Sequence, residues 1–162
     1  MGDNKGISII EILMVALTLA VLAGMGMPSL LRTLDAYRLR GAAWNLAGDL
    51  RLARQKAVSI QVQHRICFTG CSGVVPAGGY LLERENPGGP PPGWVVDVFR
   101  SDVPDGVAIA NNAPGGKLTF DTKGALWGAM GATMTLTNGG GTYEVVTAIT
   151  GRVRVCKGTC PP

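Results

Sequence analysis

Residues 6–28 of the chain read GISIIEILMVALTLAVLAGMGMP. Between Ile7 and Met27 this stretch contains one charged residue, Glu11, and no proline. A helix of this length is about 31 Å long, which matches the roughly 30 Å hydrocarbon core of a bilayer. The stretch therefore predicts an N-terminal helix that spans a membrane.

The carboxylate of Glu11 lies one helical turn inside the apolar run. On insertion scales a charge at the centre of a bilayer costs about 2.5–3.5 kcal/mol, so it needs a cation at the same depth. The leader MGDNKG is short, and no A-x-A cleavage site follows the apolar run, which excludes an ordinary secretory signal. The cation must come from another chain or from a new N-terminus.

The sequence KGISIIEIL (residues 5–13) resembles the class III signal of type IV pilins and type II secretion pseudopilins. The resemblance implies that a prepilin peptidase cuts between Gly6 and Ile7 and N-methylates Ile7, although Ile7 stands where Phe is usual. Glu11 then falls at the fifth mature position. Pro28 falls where these proteins carry a helix-kinking proline.

Cleavage would leave a protonated amine at Ile7, which can neutralise Glu11 of a neighbouring subunit inside an apolar helix bundle. Removing one partner of a buried ion pair typically costs about 3–5 kcal/mol. Glu11 is therefore expected to set the assembly register of a filament, with Pro28 as a second assembly residue.

Residues 29–60 predict an amphipathic continuation of the same helix, from about Ile7 to Val58 and bent near residues 24–28, since Pro and Gly weaken helices. Its basic residues outnumber its acidic ones by six to two, a net charge of +4. This surface is either simply solvated or attracted to anionic headgroups or acidic neighbours. The apolar positions recur every three or four residues: Ala43, Leu46, Leu50, Ala53 and Ala57.

From about residue 61 the composition changes to Gly, Pro, Thr and Val with short alternating runs, which predict a β-rich head. The fold class is thus α+β, a long helix packed against a C-terminal sheet. The expected organisation is a leader (1–6), a transmembrane and assembly helix (7–28), an amphipathic half (29–60) and a globular head (61–162). The predicted strands are Val62–Phe68, Tyr80–Glu83, Trp94–Phe99, Val107–Ala110, Lys117–Phe120, Thr133–Leu136, Tyr143–Ile149 and Arg152–Cys156.

The head resembles the GspH/FimT branch of the pilin superfamily. The matching motifs are LRLARQKA (50–57), GWVVDVF (93–99), FDTKG (120–124) and GRVRVC (151–156). The resemblance implies a minor pilin or pseudopilin anchored in the bacterial inner membrane with a periplasmic head. It would join other pilins in a type IV pilus or a type II secretion filament, near the tip, and help initiate assembly. Trp94, Phe99 and Phe120 are expected in the core.

Four cysteines form two C-x3-C pairs, Cys67 with Cys71 and Cys156 with Cys160. Structural zinc sites more often use two-residue spacings, and a head outside the inner membrane is in an oxidising compartment, so disulfides are expected rather than a metal. Local pairing is favoured because each pair brackets a Gly-containing turn. Pairing of Cys67 with Cys156 across neighbouring strands stays open.

The C-terminal run GRVRVCKGTC carries Arg152, Arg154 and Lys157 and no acid, in a chain of pI about 9.1. On a strand, Arg152 and Arg154 would share one face while Val153 and Val155 face the core. The FimT branch is associated with DNA uptake in natural transformation through a G-R-x-R motif, which this run matches. The alternatives are an ordinary solvated face and a weak, sequence-independent phosphate site.

Catalysis has little support in the sequence. His64 is the single histidine, and no G-x-S-x-G, H-E-x-x-H or P-loop motif is present. Four acids of the head are expected at strand ends and turns, where Asp is common for conformational reasons: Asp97, Asp102, Asp105 and Asp121. The chain is therefore expected to be a structural protein without a cofactor, and itself a substrate of the peptidase.

Overall fold

The computed structural model describes residues 8–76, 78–89, 93–100, 103–128 and 130–161, without the side chains of residues 25–30, 99 and 100. The predicted processing residues Gly6 and Ile7 lie outside the described residues, as does Asp102.

A single long helix, α1, runs from Ile9 to Ser59. Its backbone is helical through Pro28, and the bend predicted at residues 24–28 stays a prediction. The helix ends where the Ile60 amide donates to the Lys56 carbonyl at 3.0 Å and Gln61 adopts a left-handed φ of 53°. Within the described part of the chain, no helical segment combines the length and the hydropathy that crossing a bilayer requires.

Eight strands follow in the predicted order, so the β-rich head is confirmed. The largest boundary difference is in the second strand, which ends at Asn86 rather than Glu83. A short 3-10 turn at Pro114–Gly116 precedes the fifth strand. The strands are β1 (His64–Cys67), β2 (Tyr80–Asn86), β3 (Gly93–Arg100), β4 (Ala108–Asn111), β5 (Lys117–Phe120), β6 (Ala132–Asn138), β7 (Gly141–Thr147) and β8 (Val153–Lys157).

The head is divided into two antiparallel four-stranded sheets. The first has the order β3-β2-β1-β5 and the second has the order β4-β6-β7-β8. Helix α1 contacts β1 and β5 of the first sheet and β6, β7 and β8 of the second. The α+β class is confirmed, and the helix is the element that joins the two sheets.

The core lies between the second half of α1 and the inner faces of both sheets. All five predicted helix positions, from Ala43 to Ala57, are fully buried, which confirms the apolar face. Phe120 is buried as expected, and Trp94 is only half-buried. The strands contribute these buried apolar side chains to the core: Ile66, Leu82, Phe120, Met134, Leu136 and Val145.

The turn between β6 and β7 fastens the middle of α1 to the second sheet. Asn138 donates its side-chain amide to the Asp35 carbonyl at 2.7 Å. A Cβ on Gly140 would lie 2.6 Å from the Ala36 amide nitrogen, so only glycine allows this approach. The helix is therefore held against the head from about residue 35 onward.

Candidate functional site: an apolar helix surface and a basic turn

The first half of α1 has no partner within the described chain. All ten large apolar side chains between Ile9 and Leu22 are more than half exposed. Monomeric soluble proteins rarely expose an apolar surface of this extent, and such surfaces mark contacts with proteins or membranes. This segment is therefore an interaction surface.

Glu11 lies on this surface, in the first turn of α1. Its amide donates to the Ser8 carbonyl at 3.0 Å, and its side chain is exposed. Carboxylates at helix N-termini interact favourably with the helix dipole. The cation expected from Ile7 lies outside the described residues, so the role of Glu11 stays a prediction.

The predicted basic residues lie on a tight turn and on the edge strand that follows it. The turn closes when the Gly151 amide donates to the Ala148 carbonyl at 2.8 Å. Arg152 is exposed and precedes β8, so the prediction that it begins the strand was wrong by one residue. Gly151 has φ of 76° because it completes the turn, and strand pairing starts only at Val153.

The remaining basic residues lie on β8 itself. Arg154 donates to the Pro161 carbonyl at 3.2 Å, and Lys157 is exposed at the end of the strand. Val153 and Val155 pack against the core, as the alternation predicts. Arg152, Arg154 and Lys157 therefore lie along one short segment at the edge of the second sheet.

Both disulfides are local. Cys67 is bonded to Cys71 with their Cα atoms 5.7 Å apart, and Cys156 to Cys160 at 5.3 Å. This is the pairing favoured from the spacing. The sulfur atoms of Cys67 and Cys71 lie beside the Glu83 carboxylate, but as a disulfide they offer no thiolate to a metal.

A buried charge cluster that the sequence did not predict supports the loop after β1. Glu83 and Arg65 face each other across paired strands, with Arg65 Nε 2.6 Å from the carboxylate. The same carboxylate accepts from the Ser72 amide, also at 2.6 Å. The Arg65 guanidinium lies 3.9 Å from the centre of the Trp94 ring, a favourable cation–π geometry.

The pKa of Glu83 follows from these contacts. Burial alone would raise the pKa of this carboxyl, but hydrogen bonds from Ser72 and Arg65 outweigh burial and lower it. Glu83 is thus ionised and paired. The sequence could not reveal this pair because it depends on strand register, although an acid directly after the apolar residues Tyr80–Leu82 was a signal.

A second cluster joins the end of α1 to β3. Lys56 Nζ lies 2.5 Å from an Asp97 carboxylate oxygen, and Nε2 of the fully buried His64 lies 3.8 Å from the same oxygen. The prediction that Asp97 lies at a strand end was wrong, since it lies within β3. Asp97 forms an ion pair with Lys56 of α1, and strand alternation alone could not indicate this contact.

The pKa of His64 is lowered from its usual 6.5, chiefly by burial. The Val62 carbonyl, 2.8 Å from Nδ1, and the Asp97 carboxylate oppose that effect, while Lys56 and Arg84 add to it. Nε2 has no hydrogen-bond partner among the described residues. His64 is therefore neutral near pH 7, a buried structural histidine.

Comparison with known proteins gives the family. A model of the family described as type II transport protein GspH matches residues 42–151, more than half of the chain. The chain belongs to the GspH family. The match ends at Gly151, so Arg152, Arg154 and Lys157 lie beyond it.

A solved structure is similar in fold. Type IV minor pilin FimU of Pseudomonas aeruginosa strain PAO1, in one crystal form, is 22% identical with a TM-score of 0.53 over 72% of this chain and 87% of FimU. A second crystal form is 18% identical with a TM-score of 0.49 over 72% and 90%. The first similarity supports the pilin-like fold. No curated protein sequence matches the chain.

Proposed function

We propose that the chain is a structural minor pilin or pseudopilin of a type IV pilus or a type II secretion filament. Residues 1–6 act as a leader that a prepilin peptidase removes, and Ile7 becomes the N-methylated first residue. Residues 7–28 anchor the chain in the bacterial inner membrane before assembly, residues 29–60 continue the helix, and residues 61–162 form the periplasmic head. The GspH family match supports this class.

The observation that carries this proposal is the contrast between a well-packed head and an uncovered apolar helix. Burying apolar surface is worth roughly 25 cal/mol per Å². A helix bundle formed with other pilins would bury the surface between Ile9 and Leu22, and Glu11 would meet the positive terminus of a neighbour. We place the subunit near the filament tip, where a minor component can help initiate assembly. The proposal assigns it no enzymatic activity.

The test is incorporation of the subunit into filaments in the native bacterium. Glu11→Ala is expected to be processed and to remain in the membrane fraction, with at least a tenfold loss from sheared filaments, because the buried positive terminus loses its partner. Glu85→Ala, which removes a glutamate of the head, is the control. Normal incorporation of Glu11→Ala would contradict the assembly role, and mass spectrometry of an intact leader would contradict processing.

DNA binding in natural transformation is a second candidate function. It is favoured by Arg152, Arg154 and Lys157, because none of the three forms an ion pair with a carboxylate within the described residues. The test is titration of the full chain in detergent with duplex DNA across salt concentrations. Arg152→Ala with Arg154→Ala is expected to weaken binding and to reduce its salt dependence. An unchanged affinity would contradict it.

A further inference from the structure

Residues 148–152, here called the basic turn, pack against the end of α1 and against the turn after β5. Gly151 is buried there, and a Cβ at this position would overlap the Gly124 carbonyl oxygen and lie 2.9 Å from Arg54 Nε. Glycine is therefore required for the approach as well as for its positive φ. The docking brings the residue after Gly151, Arg152, to the helix.

Two helix arginines reach the residues on either side of Arg152. Arg54 Nε donates to the Gly124 carbonyl at 3.0 Å, directly beside Gly151. Arg51 Nη2 lies 3.5 Å from the carbonyl oxygen of Val153. Arg51, Arg54 and Arg152 are here called the arginine cluster. Arg152 is about a hundred residues away in sequence from the two helix arginines.

The charge of the arginine cluster is not balanced locally. Among the described residues, none of its three members lies within ion-pair distance of a carboxylate. The facing turn adds the exposed Lys123, and its acid, Asp121, accepts the Lys123 and Ala125 amides at 2.9 and 2.8 Å. Arg51 and Arg54 thus lie beside the backbone of Arg152, and an anion bound near these like charges would offset their repulsion.

The position of the arginine cluster argues against lipid headgroups as that anion. Arg51 follows Pro28, the last residue of the proposed anchor, by about 35 Å of helix. Headgroup attraction falls off within a Debye length, about 8–10 Å at physiological salt. The anion must therefore come from outside the bilayer.

We propose that Arg51 and Arg54 of α1 act with Arg152 as one site for the phosphate backbone of DNA. This inference rests on the second candidate function above and extends its site from β8 to the helix. Guanidinium groups bind phosphate oxygens in a bidentate manner, and neighbours three apart on a helix lie about 5–6 Å from each other. The site combines residues of α1 and of the turn before β8, which are adjacent only in the folded chain. It would contact the DNA phosphates and not the base edges, so its binding would be independent of DNA sequence.

The experiment measures binding of a fluorescent 30-base-pair duplex to the full chain in detergent, from 50 to 300 mM salt. Arg51→Ala and Arg54→Gln are each expected to lower the slope of log affinity against log salt by about 0.9 and to weaken binding about eightfold at 0.1 M salt. Arg40→Ala is the matched control. Arg40 is an exposed arginine on the same helix, about 21 Å from Arg54 along the axis, and it should leave the slope unchanged.

The outcomes separate this inference from the function on which it rests. If Arg152→Ala weakens DNA binding while Arg51→Ala and Arg54→Gln have the affinity and salt slope of the unsubstituted chain, the helix arginines do not contribute. DNA binding by the chain would still stand. If Arg40→Ala lowers the slope equally, the effect is one of total charge and the site is overturned. If the unsubstituted chain does not bind at 50 mM salt, the second candidate function fails first. Arg51→Ala removes only a long 3.5 Å contact, so its fold is expected to persist.

Discussion

The two halves of α1 belong to one continuous helix but have opposite surroundings. Between Leu39 and Ala57 one face is fully buried against two sheets, whereas between Ile9 and Leu22 every large apolar side chain is exposed. Both halves carry an apolar face, but the first half has a single charged residue, whereas the second half has eight. The second half carries its charges on the outer face and packs within the chain, while the apolar side chains of the first half have no packing partner among the described residues.

The largest expected difference between the two halves is in a matched pair of leucine truncations. Leu46→Ala, in the fully buried half, is expected to lower the free energy of unfolding by about 2–5 kcal/mol, because it leaves a cavity. Leu17→Ala, at a side chain that is 65% exposed, should change it by less than about 0.5 kcal/mol. Denaturant unfolding of the full chain in detergent, followed by tryptophan fluorescence, measures both. Equal losses would mean that the first half belongs to the core of the head.

A smaller effect is expected at the C-terminal end of the buried half, where Lys56 contacts Asp97 beside His64. The pKa of His64 is lowered in the folded chain, so stability is fully present above pH 6.5. As the pH falls below 6.5 the unfolded chain takes up a proton that the folded chain does not. The free energy of unfolding should then decrease by up to about 1.4 kcal/mol per pH unit until the lowered pKa is reached.

The measurement is denaturant unfolding between pH 7.5 and 5, a range above the usual pKa of the carboxylates. His64→Gln should remove most of the slope, because it removes the group that titrates. Leu17→Ala provides the matched control and should keep the slope of the unsubstituted chain. An identical slope in His64→Gln would assign the pH dependence to another group.

Much of the fold could be predicted because it follows from the local spacing of apolar residues along the helix and the strands. The spacing from Ala43 to Ala57 gave the buried face of α1, and alternating apolar runs gave all eight strands in order. Disulfides were expected because a head outside the inner membrane lies in an oxidising compartment, and the Gly-containing turn within each C-x3-C pair favoured the local pairing that the structure shows. These features need no knowledge of which strands are neighbours.

What could not be predicted depends on strand order and on docking between distant segments. The Arg65–Glu83 pair needs the β1–β2 register, and the Lys56–Asp97 contact joins residues that are far apart in sequence. The arginine cluster requires the turn at Gly151 to rest on the helix end, which no local pattern indicates. The processing residues Gly6 and Ile7 are outside the described chain, so that part of the site stays a prediction.

The contacts of Asn138 and Gly140 with Asp35 and Ala36 fix how much of α1 extends beyond the head. From these contacts onward, α1 packs on the head and is expected to move with it. The preceding segment, from Ile9 to Asp35, is about 40 Å long. A force applied to the head would therefore act on the helix segment before residue 35. We expect that segment, which contains Pro28, to unfold first under tension.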